Sequence, residues 1–309
     1  ITETMENVSS NSQCLLEMEG FNVTDQSMYP LFLLLLFNYL LILIFNIGIL
    51  VLITTERSLH QPMYLLVCNL PVNDLIGTTA LMPRLMLDIL SSKRYISYIE
   101  CVVQAFCSHI FGSASHMILI VMALDRYVAI CHPLRYNSIM TTSTVAKLSA
   151  CAWGVSLSLI IVLFALTLRL SRCRSVIYNA YCDNASLFKL SCEDITVNNI
   201  YGLFITVLLH VSSMGSISIT YCNILFVCFN TKNKKINSKA LQTCATHLVL
   251  YLVMLCSGFL TVILHRYPPN PDFRKLTDIL FHVVPANVNP IVYGLNSNEL
   301  RNKLVQIFL

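Results

Sequence analysis

Charged side chains make up only 12 % of this 309-residue chain, about half the roughly 25 % usual in a soluble domain. That shortage excludes an ordinary water-facing surface. The net charge of +4 is small and its basic residues are scattered, so no nucleic-acid partner is expected. Catalytic signatures are missing too. There is no Walker loop, no G-x-S-x-G, no H-E-x-x-H and no C-x-x-C pair, and an enzyme is not expected. The chain also lacks internal repeats, including the inverted repeat that marks many transporters. A polar pore stripe or filter motif, which a channel would need, is absent as well.

What is present is apolar. Hydrophobic residues reach 56 % and gather in seven segments, at 31–54, 62–88, 98–124, 144–168, 197–229, 240–265 and 274–294. Each is long enough to span a bilayer, which takes about 20 residues. The expected fold is therefore an all-α membrane protein, a seven-transmembrane helix bundle over residues 29–296. Residues 1–28 are polar and are expected outside. The first apolar run is too long for the core of a cleavable signal peptide. Residues 297–309, SNELRNKLVQIFL, carry charges on one side and apolar residues on the other. They are expected to form a short amphipathic helix on the membrane surface, with lipid as its partner.

Charge alone does not orient the bundle. With the N-terminus outside, the inner side holds 10 of the 20 Lys and Arg residues, a tie under the positive-inside rule. The KNKK cluster at 232–235 tips it slightly inward. The glycosylation sequons at Asn7, Asn22 and Asn184 all face outward in this topology. Eight of the 13 cysteines lie in or against apolar segments and are expected to pack as small core or lipid-facing residues. The other five, Cys14, Cys101, Cys173, Cys182 and Cys192, fall outside, where disulfides persist. Any four of them allow three pairings.

Polar groups inside the spans are the candidate working parts. Asp125 and Arg126 end the third span and are either a boundary ion pair or a switch. Asp74 lies deep in the second and needs partners or a proton. Pro290 is expected to break the seventh helix after Asn289. A ligand pocket is expected in the outer third of the bundle. His109, Gly112, Ser113 and His116 share one face of the third helix by their spacing. Thr206 and His210 sit one turn apart on the fifth. Gly258, Phe259, Val262 and Arg266 share a face of the sixth. Together they make an apolar pocket with a few polar handles. Arg266 either grips an anion in a guanidinium fork or snorkels to the interface or pairs with Asp272 or Asp278. His109 is either a second donor or a packing histidine, and Arg84 is a weaker third candidate.

Five stretches carry a resemblance. MALDRYVAICHPLRY at 122–136, LHQPMYLLVCNLPVNDL at 59–75, KLSCEDITVNNIYGL at 189–203, KALQTCATHL at 239–248 and VPANVNPIVYGLNSNELRNKL at 284–304 occur in the order seen in odorant receptors, a branch of the rhodopsin-like G-protein-coupled receptors. The resemblance covers residues 29–305, and the three-cysteine loop looks most like the aquatic-type, or class I, members. It implies the disulfides Cys101–Cys182 and Cys173–Cys192, the second folding loop 169–196 into a lid, with Cys14 left over. It implies that Arg126 pairs with Asp125 at rest, beside Tyr127. On activation Arg126 would swing to the G-protein tail, near Tyr221 and Tyr293. It makes Asn46, Asp74, Ser115 and Asn289 a polar hub that rearranges. A sodium ion is its candidate occupant, and a neutral, hydrogen-bonded Asp74 is the alternative. Asn289 to Tyr293 would be a hinge.

The function implied is binding of a small water-soluble odorant, organic acids first because of Arg266 and His109. A stimulatory olfactory G protein would follow, with a rise in cyclic AMP at the plasma membrane. The alternative is a non-olfactory receptor for an endogenous small anionic mediator. Three departures bear on the switch. LVMLCSGF at 252–259 lacks the family's mid-helix proline, Ser115 stands where many relatives have glutamate, and Ala286 replaces a second proline of the seventh helix.

Overall fold

The computed structural model describes residues 15–230, 234–266 and 271–296. Cys14, Asn7 and the expected surface helix at 297–309 lie outside the described residues. The apolar segments form seven long helices: α1 (Asp25–Thr55), α2 (Pro62–Leu90, interrupted at Cys68), α3 (Tyr98–Cys131), α4 (Thr142–Leu168), α5 (Thr196–Asn230), α6 (Lys234–Arg266) and α7 (Pro271–Asn296). Each contains one of the expected segments. Six are apolar and long enough to cross a membrane by composition alone. The seventh, α7, is more polar: it carries Asp272, Arg274, Lys275, Asp278 and His282 in its first half and Asn287, Asn289 and two prolines further on. Protein neighbours make that tolerable. Lys275 is fully buried, and its Nζ donates to Glu19 Oε1 at 2.6 Å and to the Gly20 carbonyl at 2.7 Å.

Helix α3 is the central element, packed against α2, α4 and α5. It opens with a capping box: the Glu100 N–H donates to Ser97 Oγ at 3.2 Å and the Ser97 N–H to Glu100 Oε2 at 3.1 Å, which satisfies two orphan donors. It also runs past the expected end at residue 124, so Asp125 and Arg126 sit inside its last turns. Leu66, Leu70, Ile118, Met122, Ile217, Ile224 and Met254 fill the inner half of the bundle. Where α2 meets α3, Gly77 lets Phe111 approach so closely that a Cβ there would lie 2.6 Å from its ring.

The expectation that Pro290 breaks α7 is not met. The helix continues through Pro285 and Pro290 to Asn296, because neighbouring groups in a bundle re-satisfy the freed carbonyls. The Asn46 amide, for one, donates to the Ala286 carbonyl at 3.0 Å. In α6 the Ser257 hydroxyl donates back to the Val253 and Met254 carbonyls. Back-bonding of this kind favours a bend in a helix, at the level where the family's proline is missing.

The polar N-terminal segment contributes a strand. β1 (Leu15–Met18) pairs antiparallel with β2 (Tyr95–Ser97) and parallel with β3 (Val176–Ile177), giving the order β2–β1–β3. Leu16 and Met18 point inward and are buried, while Leu15 and Glu17 are exposed, the period of two of a half-buried strand. This sheet roofs one end of the bundle, termed the outer end. Gly20, at φ 64°, turns the chain off β1, and a Cβ there would sit 2.7 Å from Arg94. Loop 169–196 completes the roof. Its bonds Cys101–Cys182 and Cys173–Cys192 are both formed, with Cα atoms 5.3 and 5.8 Å apart.

Candidate functional site

A cavity of about 510 Å³ opens beneath the roof, between α3, α5, α6 and loop 169–196. Its walls include Ile160, Leu163, Phe188, Leu203, Leu209 and Phe281, an apolar surround of the usual ligand-site kind. Eight of the expected pocket residues line it: His109, Gly112, Ser113, His116, Thr206, His210, Gly258 and Val262. Helical spacing brought them to one place because three helices converge there. Phe259 is a correction. It is 41 % exposed and leans on the outer side of His210, with ring centroids 4.6 Å apart. One residue of helical rotation, about 100°, separates it from Gly258 and turns it away. Arg266 ends α6, but its side chain lies outside the described residues.

Of the two readings of His109, a second donor or a packing histidine, its contact with the lid favours the second. Its Nε2 accepts the Asn184 backbone N–H at 3.1 Å, so it holds the lid down. Arg84 is committed as well, to Asp88 at 2.9 Å and to the Tyr95 carbonyl at 2.5 Å. Asn184, read from its sequon as a glycan acceptor, is 3 % exposed, and its Oδ1 accepts from Thr167 at 2.7 Å. A glycan there would have to displace the lid from the bundle. Asn22 is exposed.

Several residues that position the lid carry no sequence mark. The Gln104 amide nitrogen donates to the Ala80 carbonyl at 3.0 Å, and its oxygen accepts the Cys182 N–H at 2.7 Å. One side chain thus joins α2, α3 and the lid beside the disulfide. Ser108 Oγ lies 2.7 Å from His282 Nε2, linking α3 to α7.

Below the cavity, His116 Nδ1 lies 3.0 Å from Ser213 Oγ, which is also 3.0 Å from the Tyr251 hydroxyl. This buried chain crosses α3, α5 and α6. Further in, Asp74 is fully buried and accepts from the Asn289 amide at 2.9 Å. Ser115 does not reach it. Its hydroxyl donates to the Phe111 carbonyl and accepts from Asn73 at 2.8 Å. Asn46 turns its amide to the α1 and α7 carbonyls. Asp74 Oδ1 and Asn46 Oδ1 have no hydrogen-bond partner among the described residues. The expected hub is therefore split into an Asp74–Asn289 pair and an Asn73–Ser115 pair.

At the inner end Asp125 is 2 % exposed. Arg126 Nε donates to its Oδ2 at 3.0 Å, and the terminal guanidinium nitrogen closes an ion pair with the same oxygen. Tyr136 donates its hydroxyl to Oδ1 at 2.8 Å. Burial and the adjacent Asp125 carboxylate push the Tyr136 phenol up from its ordinary value, so it stays a donor. Tyr127 packs edge-on against His132. Tyr221 meets His247 Nδ1 at 2.5 Å, a bridge from α5 to α6. Sequence reading missed Tyr136 and His247 as partners, although both lie in motifs it had singled out. Tyr293 has its side chain outside the described residues. A group of three or more His, Cys, Asp or Glu side chains able to hold a metal is absent among the described residues.

The geometry is that of a lidded outer cavity joined through a helical bundle to a locked inner ion pair. Comparison with known proteins agrees. The profile of the family described as olfactory receptor matches residues 35–309. Human olfactory receptor 52N5 is 34 % identical over 275 residues, covering 87 % of this chain and 85 % of the relative. Human olfactory receptor 10H1 is 33 % identical over 304 residues, covering 94 % and 92 %. Mouse olfactory receptor 2B6 is 30 % identical over 284 residues, covering 92 % and 91 %. The chain belongs to the olfactory receptor family, multi-pass membrane receptors of the rhodopsin-like G-protein-coupled class that signal without catalysing a reaction.

Proposed function

We propose that this receptor binds a small organic odorant in the lidded cavity. In response it activates a stimulatory olfactory G protein at the plasma membrane, raising cyclic AMP. The observation that carries the reading is the pairing of two sites on α3. His109, Gly112, Ser113 and His116 face the cavity, and about two and a half to five turns further in the same helix holds Asp125 and Arg126 locked at the inner mouth. A ligand that shifts α3 against α5 and α6 acts on both ends at once. The His116–Ser213–Tyr251 chain ties α3 to α5 and α6 just below the cavity, so such a shift would disturb it. Release of Arg126 from Asp125 would free a guanidinium for the G-protein tail, while the Tyr221–His247 bridge would open as α6 moves.

Asp74 Oδ1 and Asn46 Oδ1 are buried oxygens without partners among the described residues, which fits a sodium ion, the hub's candidate occupant. Bound there, it would offset the buried carboxylate charge. Ser115, bonded elsewhere, would take no part.

An organic acid is the second reading of the ligand. Val262 lines the cavity, and Arg266 lies one turn further out on the same face of α6.

The test is cyclic AMP in cells expressing the chain with the olfactory stimulatory G protein, challenged with neutral, acidic and basic odorants. Response to some odorants, lost in Arg126→Ala at equal surface expression, is expected. Silence to the whole panel, or a response unchanged by Arg126→Ala, refutes the reading. Loss of acid responses alone in Arg266→Ala would establish the anionic handle.

A further inference from the structure

The cavity holds buried polar atoms that no described residue satisfies. Ser113 Oγ, Asn198 Oδ1, His210 Nε2 and Thr261 Oγ1 have no hydrogen-bond partner among the described residues, and all four residues line the cavity. Native structures leave few such groups, and each calls for a partner that completes it.

Their chemistry can be assigned from the bonds they already make. His210 Nδ1 lies 2.7 Å from the Thr206 carbonyl. A carbonyl only accepts, so Nδ1 carries a proton, which leaves Nε2 of the imidazole form as a bare acceptor. Thr167 donates its one proton to Asn184 Oδ1 at 2.7 Å and so accepts from the Asn198 amide nitrogen. That fixes the Asn198 amide with its oxygen unpaired. Two pure acceptors and two hydroxyls therefore face the cavity, and His210 is only 8 % exposed.

Three of these groups converge. His116 and Ser113 are one turn apart on α3, and the His116 and His210 rings are 4.7 Å apart. Across from them a Cβ at Gly258 would lie 3.3 Å from His210 Nε2. The absence of that Cβ keeps the acceptor open, and Thr261 follows one turn along the same helix. Charged partners are disfavoured at this point. Two acceptors repel a carboxylate, Asp183 also lines the cavity, and Lys189, the lining cation among the described residues, is exposed. A buried cation would need a carboxylate at the handle cluster, whereas Asp183 is in the lid and accepts from the Ser186 N–H.

We propose that the cavity selects an uncharged, largely apolar molecule with a hydroxyl group. Its O–H donates to His210 Nε2, and its oxygen accepts from Ser113 or Thr261. This deepens the reading of the cavity as the odorant site and rests on it.

The experiment uses the purified full chain in lipid nanodiscs, read by ligand-induced melting shifts, alongside cyclic AMP in cells. The probes are octanol, octyl methyl ether, octanoic acid and octylamine. Octanol is expected to bind and activate about tenfold more strongly than the ether, which keeps the oxygen but loses the donor. His210→Phe should bring octanol to the level of the ether and leave the ether unchanged. Gly258→Ala, which covers Nε2, should do the same. His210→Gln, which retains an acceptor, should keep part of the preference. Equal octanol and ether, a preference for the acid or the amine, a ratio unmoved by His210→Phe, or no melting shift with any of the four overturns the proposal. Octanol-selective melting shifts without cyclic AMP would keep the ligand class and sink the signalling reading. Cyclic AMP without that selectivity would do the reverse.

Discussion

Replacing Tyr136 by Phe deletes one hydroxyl and leaves the ring. In the folded receptor that hydroxyl donates to Asp125 Oδ1 at 2.8 Å, while Arg126 holds Oδ2. Asp125 is 2 % exposed, so its Oδ1 is left with little else to bond. A hydrogen bond to a charged group contributes roughly 1.5–3 kcal/mol. Tyr136 itself is partly exposed, and water at the inner mouth recovers some of the loss. About 1–2 kcal/mol of the advantage of the locked state should go, about 5- to 30-fold in the locked-to-released ratio. A receptor with about 1 % of molecules active without ligand, within the usual range for a minor state, would rise to roughly 5–20 %. The assay is ligand-free cyclic AMP normalised to surface expression. Tyr136→Phe should raise it several-fold and lower the odorant concentration for half response. Unchanged ligand-free signalling at equal expression would refute the view that Tyr136 guards the pair.

Gly77→Ala should destabilise the folded receptor by about 1–3 kcal/mol, the cost of overpacking a filled core, since its Cβ meets the Phe111 ring at 2.6 Å; melting in detergent reads this directly. Cys101→Ala or Cys182→Ala opens a link spanning 81 positions and should cost about 2–5 kcal/mol, with most surface expression lost. Cys173→Ala frees only a 19-residue loop segment and should cost less, so equal losses would contradict the lid's construction. Asn22→Gln should remove a glycan and raise gel mobility. Asn184→Gln should leave mobility unchanged yet weaken the fold by loosening Thr167, and a mobility change there would show that the lid opens during maturation.

The long helices were legible because bilayer spans announce themselves by length and apolarity, and all seven expected segments lie within α1 to α7. The cavity was legible for a related reason. Helical spacing puts His109, Gly112, Ser113 and His116 on one face whatever they touch, and the structure gives that face a cavity. Phe259 was misplaced because a shared-face argument tolerates about one residue of rotation, which is enough to turn a ring from cavity to lipid. The split of the Asp74 hub was not legible. Ser115 could be placed near Asp74 by resemblance, but its partner depends on which way Asn73 turns, and Asn73 donates to Ser115 and to the Phe111 carbonyl.

Sequence by itself determined the solvent and the number of helices, and motif order supplied the resemblance that implied the cysteine pairs. These follow from composition and motif order, which are properties of local chain. Only the tertiary structure decided which polar atoms are satisfied. It turned His109 into a clasp for the lid, buried Asn184, sealed Lys275 under β1, and left His210 Nε2 bare beside Gly258. The physical reason is that a hydrogen bond's worth depends on partners hundreds of residues away. Asn46 and Ala286 meet across 240 positions and Lys275 and Glu19 across 256, distances over which a linear sequence carries no geometry.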